Sequence, residues 1–67
     1  MTYDEAAEEA QRRWGEYATA LPPGVGLKSE YSFWVDRPWA DAPVMVGRGA
    51  SWALALADAD DRKRGAL

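Results

Sequence analysis

An alternating run in the middle of the chain constrains its fold more than any other feature. Residues 27–36 read Leu-Lys-Ser-Glu-Tyr-Ser-Phe-Trp-Val-Asp. Leu27, Tyr31, Phe33 and Val35 share one parity, with Ser29 as its only polar member. Lys28, Glu30, Ser32, Trp34 and Asp36 share the other. A period of two is the pattern of a strand that buries one face. Residues 37–43 follow with two prolines and Trp39, too long and too proline-rich for a tight hairpin. An ordered, projecting loop is expected there. Val44 and Val46 then resume a buried parity with Met45 facing the other way, and the strand is expected to stop at Gly47-Arg48-Gly49. The whole stretch 27–46 predicts a small antiparallel sheet.

Helices are predicted on both sides of it. Thr2 and Glu5 have the spacing of a capping box. Tyr3, Ala6, Ala7, Ala10, Trp14, Tyr17, Ala18 and Leu21 recur at three- and four-residue intervals, one stripe of a helix. Gly15 costs about 1 kcal/mol in a helix interior, so the helix bends or breaks there. Pro22-Pro23-Gly24 ends it in any case, and Gly24-Val25-Gly26 leads onward, with room for one short extra strand. Ser51 is a good N-cap for a last helix. Trp52, Ala55, Leu56 and Ala59 form its inner stripe, Leu54 lies opposite, and Gly65 is its natural stop. Pairs at i,i+4 are expected for Glu8–Arg12, Glu9–Arg13, Asp58–Arg62 and Asp60–Arg64. The class is α+β: a helix, a two- or three-stranded antiparallel sheet and a helix, with both helices on one sheet face, in a single small domain over residues 1–67.

Composition narrows the chemistry. A chain of 67 residues buries only about 60% of its unfolded surface. It has no cysteine and no histidine. Disulfides and thiolate metal sites are therefore out, and the usual general base, nucleophile and commonest metal ligands are missing. An enzyme is not expected, nor a cofactor. The formal charge of −3 argues against general affinity for phosphate backbones. No basic region followed by an apolar run opens the chain, and its longest apolar run, 52–57, is far too short for a membrane span. A cytoplasmic protein is expected.

Gly47-x-Gly49-x-Ser51 before an alanine-rich helix resembles the end of a double-stranded-RNA-binding domain. Length and the helix–strands–helix order resemble that family too. In that family, lysines follow the serine and grip phosphates; here Trp52 and Ala53 stand in those places. The resemblance implies the fold without RNA binding. The glycines lack the third glycine and the lysine of a phosphate loop. Asp58, Asp60 and Asp61 lack a calcium-loop arrangement and read as a solvated, salt-paired helix face.

Two surfaces remain as candidates. Trp34 falls on the sheet face away from the helices, with Met45 as its cross-strand neighbour and Trp39 in the loop between. Tryptophan and methionine are favoured at contact surfaces. Asp4, Glu5, Glu8 and Glu9, with Glu16 beyond, place carboxylates on the first helix, where they could meet a basic partner. Size, charge, aromatic content and the lack of catalytic residues resemble small phage-encoded anti-CRISPR proteins. That resemblance implies a stoichiometric inhibitor in the host bacterial cytoplasm, blocking DNA binding by a type I surveillance complex. Asp4, Glu5, Glu8 and Glu9 would meet a basic surface of a DNA-binding Cas subunit, and Trp34 or Trp39 would anchor it. The alternatives are a homodimerising phage or bacterial interaction module, or a degenerate RNA-binding-like domain.

Overall fold

The computed structural model describes residues 1–25, 28–39 and 41–65. In order the elements are α1 (Tyr3–Trp14), β1 (Ala18–Leu21), β2 (Tyr31–Val35), β3 (Val44–Gly49) and α2 (Trp52–Gly65). The sheet has the order β1-β2-β3 and is antiparallel throughout. Both helices lie on the face that carries Phe33. Trp14 of α1 and Trp52 of α2 each pack on that ring, with centroids at 5.5 and 5.4 Å. Tyr3 lies against Trp52, and Arg13 reaches Asp60, so the two helices run in the same direction. Among the described residues no helix is long and apolar enough to cross a membrane.

The capping box forms as expected: the Glu5 amide donates to Thr2 Oγ1, and the Thr2 amide donates to Glu5 Oε1 at 2.8 Å. The helix then stops at Trp14, because Gly15 takes φ 94° and leaves the helical path. This corrects the longer apolar stripe. Ala18 and Leu21 are strand residues, and the short extra strand is Ala18–Leu21, ahead of Pro22. Ala18-Thr19-Ala20-Leu21 alternates as readily as it continues a helical stripe. Pairing with β2 decides the matter, burying Ala18 and Ala20 opposite Val35 and Phe33. The central strand begins at Tyr31, four residues later than the alternation. Leu27 lies outside the described residues. The third strand continues through Gly47 and Gly49 instead of stopping at them.

That continuation has a packing reason. Gly47 and Gly49 face α2, which rests on their backbone. A Cβ at Gly47 would stand 2.5 Å from the Ala55 carbonyl oxygen and 2.8 Å from Ala59 Cβ. One at Gly49 would stand 2.7 Å from Leu54 Cβ. The α2 residues beneath the sheet are the expected stripe, Trp52, Ala55, Leu56 and Ala59, all buried, with Leu54 exposed. The Ser51 hydroxyl caps this helix by accepting from the Leu54 amide.

Two ion pairs form as expected, Glu9–Arg13 and Asp58–Arg62. Two others are re-partnered. Arg12 also pairs with Glu9, leaving Glu8 aside, and Arg64 pairs with Asp61. Asp60 is thereby available for Arg13 of the other helix at 2.9 Å. Asp58 also binds the sheet. Its Oδ2 accepts from the Arg48 amide at 3.0 Å, which occupies a polar group of an edge strand. That amide and the Arg62 guanidinium hold the Asp58 carboxyl below its ordinary value.

Replacing Gly47 by alanine should cost about 1–3 kcal/mol through overpacking, seen as a lower urea midpoint. Asp58 should make stability depend on pH. The folded state holds its proton less tightly than the unfolded one. Its contribution is therefore present above the ordinary carboxylate pKa near 3.8 and lost as pH falls through the folded-state value. Asp58→Asn should lower the midpoint at neutral pH and flatten the acid limb of stability against pH.

Candidate functional site

With both helices on the Phe33 side, the opposite sheet face has no covering element among the described residues. The central residue of that face is Trp34, aligned with Thr19 of β1 and Met45 of β3. The expected Trp34–Met45 neighbourhood is present. Trp34 bends back along its own strand, and its indole Nε1 donates to Ser32 Oγ at 2.8 Å. Ser32 is thus fully buried although it points away from the main core. An apolar groove of about 300 Å³ runs beside the indole, lined by Thr19, Leu21, Trp34, Asp36 and Pro43.

The loop after β2 extends this surface. The Asp36 amide donates to the Tyr17 carbonyl at 3.0 Å, continuing the β1–β2 ladder by one pair. By strand alternation Tyr17 has the parity of Thr19 and Leu21, the outer one. Trp39 stands edge-on to the Tyr17 ring, with centroids at 6.1 Å and planes at 87°. Both rings remain open to solvent, Trp39 at 74% and Tyr17 at 44%. Trp34 and Trp39 therefore belong to one side of the molecule. Met45, although aligned with Trp34, lines instead a cavity shared with Trp14 and Ala59. Beside the two tryptophans lie Tyr17, Leu21 and Pro43. The sequence alone did not reveal these last three. The alternation of residues 17–21 was the available signal.

The acidic residues lie elsewhere. On α1 the buried positions are Ala6 and Ala10, so Asp4 and Glu8, two residues before each, face away from the sheet. They form no side-chain hydrogen bond or ion pair among the described residues. Glu5 and Glu9 are already engaged. Hydrogen bonds from the Thr2 backbone and side chain hold the Glu5 carboxyl below its usual range. Arg13, then Arg12, do the same for Glu9. The sheet and helix layers separate all four acids from Trp34. The acidic and aromatic candidates are two surfaces, not one.

Among the described residues no cluster of carboxylates could hold a metal ion. Asp58, Asp60 and Asp61 are taken up separately by Arg62, Arg13 and Arg64. Compared with known proteins, the chain matches no family model, and no curated protein or solved structure matches it.

The Trp34–Ser32 bond is open to a double-mutant cycle. Trp34→Phe removes the donor to a buried hydroxyl and should cost about 1–2 kcal/mol in the native background. In a Ser32→Ala background the same change should cost less, leaving a coupling of about 0.5–1.5 kcal/mol in denaturant unfolding.

Proposed function

We propose that this chain is a stoichiometric, non-enzymatic inhibitor that binds a protein partner through its outer sheet face. The observation that carries this reading is the gathering of Trp34 and the Trp39–Tyr17 pair on the side that neither helix covers. Large aromatic side chains that are already held in place lose little freedom on binding and serve well as anchors. Trp39 is the anchor, because its exposed ring contributes least to the fold and most to a contact. The net charge of −3, with Asp4 and Glu8 unpaired among the described residues, favours approach to a basic surface without requiring those acids to touch it. In its narrower form the proposal follows the resemblance to anti-CRISPR proteins: the partner is a DNA-binding subunit of a type I surveillance complex, and occupation of its basic face blocks DNA.

Target-DNA binding by purified type I complexes, titrated with this protein, tests the proposal. Wild type should inhibit at stoichiometric amounts. Trp39→Ala should remain folded and weaken inhibition by about thirtyfold, the loss of an anchor worth about 2 kcal/mol. Asp4→Asn with Glu8→Gln spares the capping box and the Glu9 pairs, and should instead slow association and flatten its salt dependence. If a panel of complexes is never inhibited in several-fold excess, the narrower form is wrong. A concentration-dependent dimer broken by Trp39→Ala would replace the inhibitor with the homodimerising module. A salt-sensitive shift of duplex RNA would replace it with the RNA-binding reading.

A further inference from the structure

A larger cavity lies on the helix side of the sheet, and Met45, which pairs with Trp34 in the ladder, is one of the residues lining it. It opens between the carboxyl end of α1, β3 and the second half of α2, with a volume of about 610 Å³. Local irregularities create it. The register slips between Phe33 and Trp34, which pair with Gly47 and Met45, so Val46 is an extra residue on β3. Such a bulge bends its strand and re-aims the side chains beside it. The first helix ends at Trp14, and Ala59 presents only a methyl group from α2. Trp14, Met45, Val46 and Ala59 make an apolar wall, and a volume of this order suits a small organic ligand rather than a few waters.

The rim has a definite charge. Arg13, Arg62 and Lys63 line it together with a single carboxylate, Asp60. Three cations against one acid is unusual for a wall of a protein whose net charge is −3. Two of the cations are already satisfied, Arg13 by Glu9 and Asp60, and Arg62 by Asp58. Lys63 has no ion-pair partner among the described residues. One ammonium group beside an apolar wall matches one negative charge on an apolar body. A phosphate dianion would face Asp60 with only that one uncommitted cation.

We propose that this cavity is a binding site for a small amphipathic monocarboxylate, with its apolar body on Trp14, Val46 and Ala59 and its carboxylate on the Lys63 ammonium. Asp60, held by Arg13, keeps the neighbouring rim closed to a second negative charge. The cavity shares no wall with Trp34, Trp39 or Tyr17, so the two surfaces can be tested apart.

The experiment is a heteronuclear NMR titration of the full chain with 2-naphthoate, and in parallel with its uncharged analogue 2-naphthamide. Naphthoate should shift the Trp14 indole and the Val46 and Ala59 methyl signals in a saturable way, and the amide should bind about fivefold more weakly. Lys63→Gln, at an exposed position, should preserve the spectrum and remove that difference, while Lys63→Arg should restore it. Equal affinity for acid and amide, or a difference that survives in Lys63→Gln, would overturn the carboxylate assignment. Shifts confined to Trp34 and Trp39, or no saturable shift at all, would overturn the site.

Discussion

The close approach of α2 to β3 is the contact on which the rest of the molecule depends. Where Gly47 and Gly49 offer no side chain, the helix backbone and its alanines touch the strand directly. That seating brings Trp52 under the sheet, where its ring meets Tyr31 at 4.6 Å and Phe33 at 5.4 Å. Tyr3 closes the cluster from α1. The remaining core is mostly alanine: Ala6, Ala10, Ala18, Ala20, Ala55 and Ala59 are all buried. Small residues bury little area each, so they contribute by letting layers come close, while a few aromatic rings supply the apolar area. In a chain this short, without a cysteine, that division of labour is the route to a packed core.

Signals that act over one turn of helix were legible in the sequence. The capping box, the Ser51 cap and the inner stripe of α2 depend on residues three or four apart, and each forms as spaced. The alternation of Tyr31, Phe33 and Val35 was legible for the same reason. What could not be read depends on partners distant in sequence. Ala18-Thr19-Ala20-Leu21 fits two periods equally well, and only β2 selects one. Asp60 is within reach of Arg64 on its own helix, yet Arg13 of α1 takes it once the helices lie side by side. The bulge at Val46 has no local signature at all, and with it the cavity beneath was invisible.

The candidate surface divides in the same way. The place of Trp34 followed from parity, because a strand's two faces are written in its alternation, whereas Met45, beside the slip at Val46, lines the helix-side cavity instead. Tyr17 did not, since it was counted on a helical stripe that Gly15 cuts short. The acids of α1 were recognisable as exposed, but their place behind the sheet was not. This geometry changes what they can do. A flat partner that covered Trp39 and Trp34 could not also touch Asp4 and Glu8, so under the proposed reading charge would act through the long-range field and aromatic contact through burial. Those are separable contributions to rate of association and to lifetime.

Position 52 shows how core and function exclude one another in so small a domain. In the RNA-binding family that the glycine-serine turn resembles, the helix start presents cations outward. Here the residue after Ser51 is 7% exposed and carries three aromatic contacts. A lysine in its place would leave an uncompensated charge beneath Phe33, or withdraw and leave a void where an indole stood. The turn and helix start are therefore committed to holding the sheet. Any recognition by this molecule must be sought on surfaces the core does not use: the outer sheet face, the far side of α1, or the cavity beside Lys63.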